Sequence, residues 1–207
     1  MKKHIGVLLS GRGSNFDALA ASVAAGRIPN ADISIVVSNQ DTAPGIEKAR
    51  ARGIDARVIP SKGLEREAYD RLVVRLFEEK KVDLVCLAGY MRLLSPYFVA
   101  LFPQRILNIH PSLLPAFPGL EPQRQALEHG AKVSGCTVHF VDENLDAGPI
   151  VMQAVVPIED DDTPQTLADR ILVEEHRIYT EAVRIVLEGR WRIVGRRVLT
   201  TTGTGEK

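Results

Sequence analysis

The sequence predicts an α/β protein built on a doubly wound, mostly parallel sheet, with an antiparallel addition in its second half. Three observations predict it. In the first half, short apolar runs alternate with amphipathic segments of helical period. One of those runs, Leu84 to Ala88, is apolar without interruption, as a parallel strand covered on both faces is. In the second half, two β runs follow one another with only an acidic turn between them, which suits an antiparallel pair.

The elements follow in order. Ile5 to Leu9 is a first strand, and Ser14 to Ala25 reads as a helix closed by Gly26. Ile33 to Val37 is a second strand, followed by a helix from Pro44 to Arg52 that Gly53 ends. Ala56 to Ile59 is a short third strand. Glu65 to Lys81 is a long helix with Tyr69, Leu72, Val73, Leu76 and Phe77 spaced by threes and fours, which places them on one face. After Leu84 to Ala88, a helix at Pro96 to Phe102 leads to the strand Ile106 to His110. A Pro-rich loop, Pro111 to Pro122, and a short helix, Gln123 to His129, precede the β runs Val133 to Val141 and Pro149 to Ile158. Thr163 then caps a helix that opens on Pro164 and runs to Glu188. Trp191 to Leu199 reads as a last hairpin. A single domain is expected over residues 1–199, with a polar, disordered tail over residues 200–207.

Composition narrows the function. The chain has 207 residues, and its 26 basic side chains balance 26 acidic ones, so no global field draws it to nucleic acid or to a membrane. An anionic ligand needs a local device instead. Two cysteines, Cys86 and Cys136, are too few for a disulfide framework, and no Cys or His cluster has metal-ligand spacing. Met1 to His4 opens into a short strand-like run, much too short for a signal h-region or a spanning helix, so neither is expected there. The expectation is a soluble, cytoplasmic protein without a metal.

Asn108-Ile109-His110-Pro111 carries the strongest chemical signal. Residues two apart on a strand point to the same side, so an amide donor and an imidazole face one spot where Pro111 turns the chain out of the sheet. That spot is a carboxyl edge, where open α/β sheets bind ligands. A donor for a developing oxyanion and a proton handler together suit acyl transfer, and a carboxylate such as Asp146, in Leu145-Asp146-Ala147-Gly148-Pro149, could orient the imidazole. Taken alone, Asp146 is one of several solvated carboxylates in an acidic turn.

Other motifs are weaker by themselves. Ser10-Gly11-Arg12-Gly13-Ser14-Asn15 joins the first strand to the first helix, where free N–H groups suit a phosphate. It lacks the third glycine of a dinucleotide fingerprint and the Lys-Ser/Thr of a Walker loop, and a tight turn capped by Ser14 explains it equally well. Gly89 to Pro96 follows another strand and could line a slot for a flat heterocycle, or simply pack under a loop. Arg66 could be a surface partner of Asp70 at i,i+4.

Taken together, the Ser-Gly-Arg-Gly-Ser-Asn turn, Ala88-Gly89-Tyr90-Met91-Arg92, Asn108 to Pro115 and Leu145 to Pro149 closely resemble the folate-dependent formyltransferase family. Within that family they resemble the branch that formylates a glycinamide ribotide in purine biosynthesis. The resemblance runs from about His4 to Arg190, in order and at matching spacing. It implies a Rossmann-like formyltransferase fold, 10-formyltetrahydrofolate as co-substrate and glycinamide ribonucleotide as acceptor, with no metal and with room for a homodimer. By the same resemblance, Gly13, Ser14, Asn15 and Glu175 hold the ribotide. Arg66, Met91, Arg92, Leu93, Leu94, Asn108, Val141 and Asp142 hold the folate. Asn108, His110 and Asp146 are the catalytic trio, with Asp146 tuning His110. Where family members often carry two histidines, this chain has Gly119-Leu120-Glu121-Pro122-Gln123, which supplies no imidazole.

The implied reaction is direct attack of the ribotide amine on the formyl carbon, with Asn108 and His110 stabilising the oxyanion. Three alternatives share parts of this apparatus. A 10-formyltetrahydrofolate hydrolase would use water in place of the amine and has no need of the phosphate turn. A methionyl-tRNA formyltransferase would need more chain and a basic surface. A non-catalytic ribotide- or folate-binding module would have no use for the trio.

Overall fold

The computed structural model describes residues 1–201. Its first half runs β1 (Lys3–Leu9), α1 (Ser14–Ala24), β2 (Ala31–Ser38), α2 (Pro44–Ala51), β3 (Ala56–Val58), α3 (Arg66–Glu79), β4 (Leu84–Leu87), α4 (Pro96–Leu101) and β5 (Ile106–His110). The second half adds α5 (Pro122–Glu128), β6 (Val133–Phe140), β7 (Ile150–Pro157), α6 (Pro164–Glu188), β8 (Trp191–Val194) and β9 (Arg197–Thr200). The strands form one sheet in the order β3-β2-β1-β4-β5-β6-β7-β9-β8. Strands β1 to β5 pair in parallel, β6 runs antiparallel to both β5 and β7, and β9 joins β7 in parallel.

The order turns back on itself between β1 and β4. The chain winds outward through β2 and β3 on one side, then returns to continue through β4 and β5 on the other. A crevice opens at such a reversal because the loops leaving the two strands diverge. Side chains alternate between two apolar layers. Val7, Leu9, Cys86 and Leu107 face a layer that includes Phe16 of α1 and Leu167, Ile171 and Ile178 of α6. Leu8, Val85, Leu87 and Ile106 face Tyr69, Val73 and Phe77 of α3 and Phe98 of α4. The sheet is therefore covered on both sides, and this is why its central strands read as unbroken apolar runs.

Four local expectations need correction. Ser14 does not cap α1. The cap position is Gly13, in the left-handed region at φ 67°, and no side chain caps the helix. Leu72 is 40% exposed, since the buried face of α3 is Tyr69-Val73-Phe77 together with Asp70-Val74, and Leu72 lies beyond its flank. Asp70 is not a surface partner of Arg66: it is fully buried and accepts the Ser95 N–H at 2.6 Å. Thr200 belongs to β9, and Thr201 N–H still bonds the Arg190 carbonyl, so these two positions are held to the hairpin. The rest of that tail, residues 202–207, lies outside the described residues.

The longest helix is closed at both ends by its own sequence. Thr163 Oγ1 accepts the Thr166 N–H at 3.2 Å, Thr166 Oγ1 accepts the Thr163 N–H at 2.9 Å, and Gly189 ends α6 at φ 69°. Midway along α6, the Tyr179 hydroxyl reaches the carbonyls of Leu87 and Leu107 at 2.9 and 3.1 Å, so the helix grips β4 and β5 beside the point where Asn108 emerges.

Candidate active site

The chemistry gathers at the carboxyl end of β5. In the antiparallel register Asn108 stands opposite His139, and His110 opposite Thr137. The side chains of Asn108 and His139 meet, with Nδ2 3.2 Å from Nε2. His139 Nδ1 lies 2.9 Å from the Phe140 carbonyl, an acceptor only, so Nδ1 carries the ring hydrogen and Nε2 accepts from the amide. Burial holds the His139 pKa below the ordinary histidine value, against the opposing pull of the Phe140 carbonyl and the Asp146 carboxylate. A neutral His139 thus takes one hydrogen of the Asn108 amide and leaves the second available.

His110 is 5% exposed. Its Nδ1 lies 3.4 Å from Asp146 Oδ2, longer than a tight hydrogen bond, and its Nε2 donates to the Phe117 carbonyl at 3.0 Å. Asp146 Oδ2 also accepts the Gly119 N–H at 2.9 Å, and its Oδ1 lies 3.7 Å from His139 Nε2. One carboxylate therefore stands between two imidazoles. It is placed there by a turn with Asp146 in the left-handed region at φ 49°. Gly148 makes that turn possible, because a Cβ on it would stand 1.8 Å from the Phe140 carbonyl oxygen. Arg196, from the β8–β9 hairpin, braces the same turn by donating to the Ala147 carbonyl at 2.5 Å.

A second cluster forms at the N-terminus of α1. The first intrahelical bond runs from the Asp17 N–H to the Gly13 carbonyl, which leaves the N–H groups of Ser14, Asn15 and Phe16 without helical acceptors. A side chain on Gly13 would meet the Gly45 Cα at 2.7 Å, so α2 packs backbone to backbone against the turn. Asn15, 8% exposed, donates Nδ2 to Glu175 Oε2 at 2.7 Å, while its Oδ1 is buried without a partner. Burial raises the Glu175 pKa above the ordinary glutamate value, and the Asn15 bond opposes the rise. A buried acceptor left open, Asn15 Oδ1, beside free helix amides suits a ligand carrying both an anionic group and a hydrogen donor.

The predicted folate residues separate into two groups. Arg66, Arg92 and Leu93 line one cavity of about 580 Å³ with Leu64, Glu65, Glu67, Ser95 and Pro96, at the mouth of the β4 loop, so two guanidinium groups share it with two carboxylates. Met91 is 66% exposed and Leu93 50%. Leu94 and Val141 instead pack against the α3–α4 layer, so they present main chain rather than side chain. Val141 N–H is itself taken by the Ile106 carbonyl at 2.9 Å, and Asp142 Oδ1 by the Asn144 N–H at 2.8 Å. Among the described residues, no group of His, Cys, Asp or Glu side chains has metal-holding geometry, and no helix is long and apolar enough to cross a membrane.

His139 escaped the reading of the sequence. It sits in an apolar β run like any core histidine, and only the β5–β6 register sets it against Asn108. The one available signal was a polar ring inside an otherwise apolar strand, since a buried imidazole needs partners.

Comparison with known proteins bears on this geometry. A family model described as formyl transferase matches residues 3–183. The chain is 41% identical over 191 residues to the phosphoribosylglycinamide formyltransferase of Escherichia coli (strain K12), covering 92% of this chain and 90% of that protein. It is 46% identical over 191 residues to the human trifunctional purine biosynthetic protein adenosine-3, covering 91% of this chain but only 19% of the human protein. The chain thus spans about a fifth of that larger relative. Among solved structures, glycinamide ribonucleotide transformylase 1 from Symbiobacterium toebii superposes with a TM-score of 0.95 at 52% identity, covering 97% of this chain and 95% of that one.

Proposed function

The chain belongs to the formyl transferase family, and from that premise we propose that it transfers the formyl group of 10-formyltetrahydrofolate to the amine of glycinamide ribonucleotide, a step of purine biosynthesis. The observation that carries this reading is the convergence of Asn108, His110, His139 and Asp146 on the carboxyl end of β5.

The ribotide phosphate rests on the N–H groups of Gly13, Ser14 and Asn15, where the helix dipole favours an anion. Asn15 Oδ1 and Glu175 take hydrogen donors from the rest of the ribotide. The folate lies along the β4 loop, Met91 to Leu94, against the Asn108 side chain and the Val141–Asp142 backbone. Its acidic end lies toward Arg66 and Arg92, which must draw it past Glu65 and Glu67 of the same 580 Å³ cavity by direct pairing, since the lining carries no net positive field. The amine nitrogen bonds to the formyl carbon, and the carbonyl electron pair moves onto oxygen. Asn108 gives that oxygen its free amide hydrogen while His139 holds the other. His110, with Asp146 behind it, supplies a second donor by exchanging its Phe117 carbonyl contact for the oxyanion. Collapse breaks the bond from carbon to N10, the amine proton passes to N10 through water or His110, and tetrahydrofolate leaves. The amine is the nucleophile, so no covalent enzyme intermediate forms.

A cytoplasmic setting accords with two free, buried thiols, Cys86 and Cys136. A homodimer would cover Leu72 and Leu101, exposed on the adjoining helices α3 and α4; sedimentation returning the monomer mass at assay concentration excludes it. The function is tested by incubating the protein with 10-formyltetrahydrofolate, with and without glycinamide ribonucleotide. Ribotide-dependent release of tetrahydrofolate, matched by formylated ribotide, is expected. Equal release without ribotide identifies a hydrolase, and no release in either case leaves a binding module.

A further inference from the structure

Ser10 stands where β1 and β4 diverge, at the reversal of the sheet, and it touches both proposed half-sites. Its N–H donates to the Gly89 carbonyl at 3.0 Å. Its hydroxyl accepts the Met91 N–H at 2.8 Å and donates to Asn39 Oδ1 at 2.6 Å. The polarity of this chain is determined. A hydroxyl has one hydrogen, the Met91 amide can only donate, and the Asn39 amide is oriented by its own Nδ2, which reaches Ser61 Oγ at 3.3 Å. Asn39 is 5% exposed, so the acceptor at the far end is held rigidly. On the chain side, Ser10 begins the turn Ser10-Gly11-Arg12-Gly13 that forms the cradle. That turn is pinned again by the Gly45 N–H on the Gly11 carbonyl at 3.1 Å.

We propose that the Ser10 hydroxyl is a positioning element that couples the two substrate half-sites, so that each substrate raises the enzyme's affinity for the other. The proposal rests on the reading of the cradle as the ribotide site and the β4 loop as the folate site. The loop carries its apolar side chains outward, with Met91 and Leu93 half exposed or more, and its Met91 amide is tied to the first residue of the turn by the hydroxyl. A ribotide seated on Gly13 to Asn15 immobilises the turn and, through the hydroxyl, the Met91 amide. The folate then meets a loop already in place. Thermodynamic linkage requires the reverse effect to be equal.

The test uses a pair that cannot react. Tetrahydrofolate, which has no formyl group, is titrated calorimetrically into the full-length protein with and without saturating glycinamide ribonucleotide, and the titration is repeated in the reverse order. In the wild type, each ligand is expected to tighten the other by at least about fivefold, the lower end of common coupling strengths. Ser10→Ala keeps the main-chain bond to Gly89, so it retains the fold and binds each ligand alone nearly as before, while the coupling falls toward unity. Ser10→Thr, which restores the hydroxyl, recovers it. A purely structural serine would lower the unfolding midpoint and both affinities without changing their ratio. Binding of both ligands without coupling in the wild type, or undiminished coupling in Ser10→Ala, overturns the proposal. Failure of the wild type to bind either ligand overturns the site reading itself.

Discussion

The parallel half and the antiparallel half contribute to the site in different currencies. Up to β5, the sheet presents mostly backbone: the open amides of α1, the turn at Gly13 and the loop after β4. After β5 it presents side chains, with His139 set by strand register and Asp146 by a tight turn against Phe140. Asn108 and His110, at the end of the last parallel strand, lie on the border and face both. Most of the binding geometry lies in the parallel half, with Glu175 of α6 reaching back to it, while the reaction chemistry lies at the border and beyond. Parallel strands end in loops that leave N–H groups free for ligands. An antiparallel neighbour lays its own polar side chains directly across from those of β5.

If that division holds, damage to the border should remove turnover and leave binding largely intact. Asn108→Ala and His110→Ala are each expected to lower kcat by roughly 10²–10³ while changing ribotide affinity little, as for loss of an oxyanion donor. Steady-state kinetics with a parallel binding titration checks this, and near-normal kcat in either variant breaks the comparison at its centre. Asp146→Asn keeps the bond to the Gly119 N–H but removes the charge between the two imidazoles. A loss of about 10² in kcat is expected, because general acid–base contributions are commonly of that size. A kcat within a few-fold of wild type would remove Asp146 from the chemistry.

Damage to the parallel half should do the opposite. Gly13→Ala places a side chain at φ 67° and against the Gly45 Cα. The strain of about 1–2 kcal/mol is expected to raise the KM for ribotide roughly tenfold with a smaller change in kcat. A kcat effect larger than the KM effect would show that the turn serves the chemistry directly.

Glu175→Gln gives the smallest change and the sharpest sign. Burial raises the Glu175 pKa, so the folded protein holds its proton more tightly than the unfolded chain does. The ionised side chain therefore opposes folding above the folded-state pKa, and the opposition vanishes once pH falls below the ordinary glutamate value. The Gln variant should melt higher than wild type at neutral pH, with the difference closing as pH is lowered, while its ribotide affinity falls. Thermal unfolding across pH 4 to 8 reads this directly; a lower midpoint at neutral pH would mean that the charge is compensated.

Much of the fold was legible because its signals are local. Unbroken apolar runs mark β1, β4 and β5, while Thr163-Pro164 and Gly189 mark the ends of α6. The pair Asn108 and His110 was legible for the same reason, since strand period alone puts them on one side. Leu72 turns outward because a helical face is chosen by what packs on it, and here the α4 contact selects Asp70 and Val74 instead. Of the two readings open for the Gly13-Ser14 turn, the Ser14 cap falls because a left-handed glycine can start a helix without any side-chain cap.

The order and type of the elements, the carboxyl-edge position of Asn108 and His110, and the glycine turn that opens α1 are all written locally in the chain. These depend on residue spacing and backbone preference over a few neighbours. Folding alone makes His139 orient Asn108, sets Phe117 on the second nitrogen of His110, brings Glu175 to Asn15 from 160 positions away, and lets Ser10 link two loops. Each of those contacts joins segments distant along the chain. Strand register, helix docking and the closing of loops set their geometry, and none of these is written in the spacing of near neighbours.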